Sequence, residues 1–247
     1  MKGFEIRDYR HRVRPKGLVP FGVVYRESDL QVMAERDLSR QALAFLKEER
    51  SPLEAYIMAH PEFLKALKPV KVEPAAPDLV KEMAQAARAA GTGPMAAVAG
   101  AIAERVGRRL MEEGLTKEVV VENGGDIFLA LKREATVALW AGSSPLSGRV
   151  GLKIRASMMP LGVCTSSATV GHSLSLGCAD AVCVLAPSTA LADACATALG
   201  NLVKGKRSWD KVLSQARRIP SLKGLVCILG EKLWAWGEWV ELVPIAG

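Results

Sequence analysis

Residues 162 to 201, GVCTSSATVGHSLSLGCADAVCVLAPSTALADACATALGN, constrain this chain more than any other stretch: a hydroxyl-rich loop, a short apolar run and an alanine-rich segment follow one another without a spacer. Asp180 to Ala186 (DAVCVLA) is apolar, carries β-branched residues and is bounded by Gly177 and Pro187, which predicts a strand. Ser188 or Thr189 then offers an N-cap oxygen, and the alanines from Ala190 to Ala198 predict a helix with little side-chain bulk. On that helix Asp193 and Thr197 are four residues apart, so a carboxylate and a hydroxyl share one face. Hard oxygens so arranged suit Mg²⁺ beside a phosphate. The same pair is also explained without a ligand. An Asp in an early turn favours the positive end of the helix dipole, and a mid-helix Thr bonds back to a carbonyl one turn earlier.

The flanking sequence falls into recognisable pieces. Phe4 to Tyr9, Phe21 to Tyr25 and Leu30 to Met33 predict strands of an antiparallel meander with a turn at Arg26 to Asp29. From Leu38 to Lys68 the apolar spacing is helical, with breaks expected at Pro52 and Pro61, and His60 at a helix end has a structural role. Lys68 to Asp78 holds three prolines and reads as a connector between two lobes of one domain spanning the chain. A helix from Asp78 to about Ala90 is broken by Gly91-Thr92-Gly93-Pro94. The next helix has Ala96, Ala97, Ala99, Gly100, Ala101 and Ala103 along a nearly smooth side, which admits either a close-packed sheet or a flat ligand.

Two apolar strands then flank Asn123-Gly124-Gly125-Asp126, a hairpin signal because the turn needs positive φ at its centre. The hairpin needs no function, but its glycines would also let main-chain N–H groups approach a polar ligand beside Asp126. Thr136 to Trp140, Val150 to Ile154 and Pro160 to Cys164 predict strands, Trp209 to Arg217 a helix, and Leu225 to Leu229, Lys232 to Trp236 and Glu238 to Leu242 a terminal strand set. Irregular alternation with hairpin character predicts an α+β fold.

Composition excludes several classes. A chain of 247 residues with 49% apolar content buries a large core. It has no uninterrupted apolar window long enough to span a bilayer, and its first residues, MKGFEIRDYRHRVRPKG, have no signal-peptide pattern, so a cytoplasmic location is expected. The net charge of +7 comes from scattered Lys and Arg, and the 5% aromatic residues do not interleave with them. That argues against a nucleic-acid platform and for attraction of a small anionic ligand, which the resemblance below makes a phosphate-bearing one. Cys164, Cys178, Cys183, Cys195 and Cys227 form no C-x-x-C pair and read as reduced core thiols, with a reactive thiol at Cys164 or Cys178 as the alternative.

Three stretches together resemble the ApbE-like superfamily, best known for FAD:protein FMN transferases. They are the small-residue helix Gly93 to Glu104 leading to Gly114, the Asn123-Gly124-Gly125-Asp126-Ile127 turn, and Thr165 to Ala198 with Thr165-Ser166, His172 and the A-D-A-x-A-T-A element at Ala192 to Ala198. The resemblance implies an ApbE-like α+β fold and a flavin nucleotide, FAD or FMN, bound with Mg²⁺. It also implies transfer of FMN to a Ser or Thr of a protein acceptor. By position it makes Asp193 and Thr197 metal ligands and His172 a group near the reacting phosphate. Gly93, Met95, Gly100, Gly124, Gly125, Asp126, Thr165 and Ser166 would line the nucleotide pocket. A homodimer is one assembly open to the chain, whose sequence does not fix its oligomeric state. The chain departs from the family pattern at Ala99, where a lysine usually precedes the glycine, and at His172-Ser173-Leu174-Ser175-Leu176-Gly177, which replaces an H-x-x-D-P-x-T-G loop. These departures mark a divergent, soluble branch. They leave two other functions open: a sulfur-handling enzyme using Cys164 or Cys178, or a non-catalytic binding or assembly protein.

Overall fold

The computed structural model describes residues 17–168 and 176–245. The expected strand at Phe4 to Tyr9 and His172 lie outside them. Among the described residues eight strands form one antiparallel sheet in the order β1-β2-β3-β4-β7-β8-β9-β10. These are β1 Val19–Tyr25, β2 Ser28–Ala34, β3 Val119–Asn123, β4 Asp126–Ala130, β7 Leu161–Ser166, β8 Ala181–Ala186, β9 Gly224–Leu229 and β10 Lys232–Trp236. A smaller sheet joins β11 Leu242–Pro244, β6 Val150–Ile154 and β5 Ala135–Ala138. With six α-helices added, the α+β expectation holds.

Both faces of the large sheet are covered, which explains why its central strands read as continuous apolar runs rather than alternating ones. Val182 and Val184 of β8 and Val119 and Val121 of β3 point into one core, with helical residues such as Val80, Met83, Ile102 and Leu199. Cys183 and Leu185 of β8 and Val120 of β3 point into a second, with Leu152 and Ile154 of the small sheet. Period-2 alternation persists, but it sorts residues between two cores instead of between core and water.

The helices on the first face come from two connections. Between β2 and β3 lie α1 Ser39–Ala59, α2 Pro61–Lys65, α3 Asp78–Ala90, a 3-10 turn Pro94–Ala97 and α4 Val98–Glu112. Between β8 and β9 lie α5 Thr189–Leu202 and α6 Trp209–Ala216. The proline-rich segment after α2 has no helix or strand until α3 begins at Asp78. It is held to α1 by Tyr56, whose hydroxyl donates to Glu73 Oε2 at 3.0 Å and whose ring stacks on His60 at 4.3 Å.

Two expectations are corrected. Pro52 does not break the helix: α1 runs through it to Ala59. Pro52 and Glu48 are both exposed, so the carbonyl that Pro52 leaves without an intrahelical donor is on the wet side, while Phe45, Leu46, Glu49, Leu53 and Tyr56 are buried on the other. The last strand starts at Leu242, not at Glu238. Gly237, at φ 117°, packs on the Lys223 carbonyl and turns the chain away from β10, so that Leu242 to Pro244 pair with β6 instead.

Candidate functional site

The site forms where the starts of α4 and α5 meet the turn between β3 and β4. Gly124 and Gly125 have φ of 69° and 105°, so Asn123 and Asp126 pair directly across a two-residue turn. The turn is anchored at both sides. Glu122 Oε1 accepts from Gly125 N at 2.8 Å, and Asn123 Nδ2 donates to the Ala99 carbonyl of α4 at 3.1 Å. Asp126 also faces β7 across the ladder, opposite Cys164.

α5 approaches from the other side. Ser188 caps it, its Oγ accepting from Leu191 N at 3.3 Å. One turn in, Asp193 Oδ2 accepts from Gly100 N of α4 at 2.9 Å. That contact demands glycine at 100: a Cβ there would lie 2.5 Å from the Thr189 carbonyl oxygen and 2.9 Å from Asp193 Cβ. The small-residue sides of the two helices are therefore packed against each other at this point.

Asp126 and Asp193, 67 positions apart in sequence, are each only 8% exposed. Burial raises the Asp126 carboxyl well above the usual range, and the charge of Asp193 raises it further, against the pull of the Cys164 thiol and the Thr165 N–H. Burial likewise raises Asp193 to about 7, although N–H groups of Gly100 and Ala99 favour its charged form. Two acids are thus held in a dry site where ionising one opposes ionising the other.

The other expected residues distribute around this centre. Thr165 and Ser166 end β7, half-buried, with Ser166 Oγ 3.5 Å from the place of a Cβ on Gly200 of α5. Thr197 lies half-buried one turn beyond Asp193. Met95 sits in the 3-10 turn before α4, packed on the core. Gly93 lies against the backbone after α2: the Ala66 carbonyl fills the place of its Cβ, which is a packing reason for that glycine.

Cys164 does not present a nucleophile. It is fully buried, and burial together with the nearby Asp126 and Asp193 charges pushes its thiol well above the ordinary value. Its Sγ reaches the Thr189 carbonyl at 3.4 Å. Cys178 is exposed. The residue that sequence reasoning missed is Glu104, 5% exposed, whose Oε2 accepts from Thr189 N at 2.6 Å. Its signal was present: it stands four residues after Gly100, on the smooth side of the helix.

A hard divalent cation suits this donor set in kind. Mg²⁺ is held through one or two carboxylates completed by water and substrate phosphate, and two carboxylates with the Thr197 hydroxyl nearby are of that type. Among the described residues no group of three or more His, Cys, Asp or Glu is assembled for a metal, so a cage made wholly of such side chains is not what they offer.

An antiparallel sheet walled by helices on one face and a small sheet on the other is a fold this chain shares with ApbE flavin transferases of known structure. The flavinyl transferase ApbE of Pseudomonas stutzeri matches 89% of this chain and 94% of its own at a TM-score of 0.56 and 16% identity. The ApbE protein of Thermotoga maritima matches 88% and 96% at 0.53 and 13%. At those identities the likeness is one of fold. The chain belongs to the family described as "AbpE bacteria", whose profile matches residues 10–218, a divergent branch of the ApbE-like superfamily. Relatives in it include the UPF0280 protein of Methanococcus aeolicus, 43% identical over 199 residues covering 79% of this chain and 80% of that protein. The UPF0280 protein MJ1526 of Methanocaldococcus jannaschii is 39% identical over 227 residues, covering 90% and 91%. Among the described residues no helix is long and apolar enough to cross a membrane.

Proposed function

We propose that this protein binds a flavin nucleotide with Mg²⁺ where the Gly124-Gly125 turn meets the start of α5, and transfers FMN from FAD to a Ser or Thr hydroxyl of an acceptor protein. The observation that carries the reading is the convergence of Asp126 and Asp193, from two separate segments, into one buried acidic pair. The flavin-transferase activity named for the P. stutzeri structure supports the substrate class.

Asp193, Asp126 and Thr197 would hold the metal, which supplies positive charge to the pyrophosphate and makes its bridging oxygen a better leaving group. Loss of their protons would prepare the two acids to ligate, and a bound cation would relieve their mutual repulsion. Gly124 and Gly125 put no side chain on the turn, so a polar group of the nucleotide could approach its main chain there, the Gly125 N–H itself being given to Glu122. The acceptor hydroxyl attacks the FMN-side phosphorus as the P–O–P bond breaks. AMP leaves with the bridging oxygen, and the hydroxyl proton passes to solvent or a nearby base, a role open to His172. No redox change occurs.

Purified protein incubated with FAD, Mg²⁺ and candidate acceptor peptides is expected to release AMP and add the mass of FMN to the peptide. Asp193→Ala and Thr197→Ala should abolish both. Tight FAD binding without AMP release under any metal would favour a non-catalytic binding protein. Neither binding nor release would end the reading.

A further inference from the structure

α4 and α5 each lack something at their start. The residue preceding α4 is Ala97, which has no side-chain acceptor, and the Ser188 cap of α5 takes only the Leu191 N–H. A helix start presents several N–H groups without internal partners. Each helix is completed by a carboxylate from the other. Asp193 of α5 accepts from Ala99 and Gly100 of α4, the second and third residues of that helix. Glu104 of α4 accepts from Thr189, the first residue of α5.

The arrangement is close to reciprocal. In each helix the donating residue precedes the accepting carboxylate by four positions, Gly100 before Glu104 and Thr189 before Asp193. One turn of helix therefore carries donor and acceptor on the same face. Glu104 is itself held at its other oxygen, where Oε1 takes Arg108 Nη2 at 2.6 Å and Nε at 2.8 Å.

We infer that Glu104 is a positioning residue for the acidic pair: by holding Thr189 N it sets the register of α5 on α4, and so the direction in which Asp193 faces Asp126. The inference rests on the reading above where it concerns metal binding, and stands apart from it where it concerns the Asp193 to Gly100 bond. Asp193 is tied to α4 through Oδ2, which accepts from Gly100 N, so its orientation follows the register of the two helices. Without Glu104, α5 keeps its own Ser188 cap and its helix, but loses the contact that fixes its first residue. Asp193, one turn on, then shifts relative to both Gly100 and Asp126.

The test uses the whole chain with Mn²⁺ as an oxygen-preferring probe for Mg²⁺, its binding followed by electron paramagnetic resonance. Amide exchange at Gly100 is followed in parallel by NMR. E104A should keep its helical circular dichroism, weaken Mn²⁺ binding about 10- to 100-fold, as loss of a residue that orients a ligand does, and expose the Gly100 amide to faster exchange than its neighbours in α4. E104Q keeps one acceptor oxygen but sets an NH2 against either Thr189 N or Arg108, so it should fall between E104A and the wild type in both. If E104A does not fold, E104D, one methylene too short for the same reach, takes its place with the same expectations. A merely structural Glu104 would lower the denaturation midpoint while leaving Mn²⁺ affinity and Gly100 exchange in the folded protein unchanged, and that result overturns the inference. Should the wild-type protein bind no Mn²⁺, the metal reading falls. Gly100 exchange in E104A then decides alone: acceleration upholds the positioning role, and wild-type protection overturns it.

Discussion

Gly100→Ala separates this packing argument from ordinary helix propensity, because the two predict opposite signs. In an open helix interior, Ala is better than Gly by about 1 kcal/mol. At position 100 the added methyl carbon meets the Thr189 carbonyl oxygen at 2.5 Å and Asp193 Cβ at 2.9 Å. One of these is backbone, so relief requires moving α5 away from α4 rather than rotating a side chain. Forcing bulk into a packed interior costs about 1–3 kcal/mol. Opening the gap also weakens the 2.9 Å bond from Gly100 N to Asp193, and a hydrogen bond to a charged group contributes about 1.5–3 kcal/mol. After subtracting the propensity gain, the variant should be destabilised by roughly 1.5–5 kcal/mol above pH 7, where Asp193 is ionised. Urea denaturation followed by far-UV circular dichroism measures this directly. Gly200→Ala on α5 is the internal control, since its methyl would find Ser166 Oγ at 3.5 Å, an ordinary contact. It should be neutral or stabilising by up to about 1 kcal/mol. A Gly100→Ala protein as stable as the wild type, or changed in the same direction as Gly200→Ala, would refute the close approach of the two helices.

Other consequences can be measured on the same material. Asp193 is raised to about 7 from an ordinary 3.8 and Asp126 is raised too, so the folded protein holds protons that the unfolded chain has released. Stability from these acids is full below about pH 4 and is lost as pH rises through 7, by on the order of 4 kcal/mol for Asp193. The urea midpoint should therefore fall over that window, and Asp193→Asn should flatten the slope; a wild-type midpoint that rises from pH 4.5 to 7.5 contradicts it. Thr189 Oγ1 is buried with no hydrogen-bond partner among the described residues, so Thr189→Val should raise stability by about 1 kcal/mol, and a loss of that size would mean the hydroxyl is satisfied. Cys164 should resist iodoacetamide in the folded protein and react only after denaturation, whereas labelling of Cys164 at the rate of a free thiol would restore the sulfur chemistry set aside above.

Much of this fold was legible in the chain because the signals were local. The Asn123-Gly124-Gly125-Asp126 hairpin follows from the φ values that only glycine adopts easily, and the α3 boundaries, Asp78 to Ala90, follow from a proline before and a glycine after. Pro52 misled because propensity is weighed against burial along a whole face, and the proline falls on the wet side of α1. The last strand misled because its partner, β6, is some 90 residues away and Gly237 turns the chain toward it.

The sequence by itself determined which segments become strands and helices, and which acids and hydroxyls share a helical face, since these depend on neighbours within a turn or two. Tertiary structure alone decided that another helix's carbonyl fills the place of a side chain at Gly100. It also decided that Cys164 is fully buried, and that Glu104 and Asp193 complete each other's helices while the Asp193 charge opposes that of Asp126. Those properties arise from burial and from distances between residues tens of positions apart, and no local pattern encodes a distance across the fold.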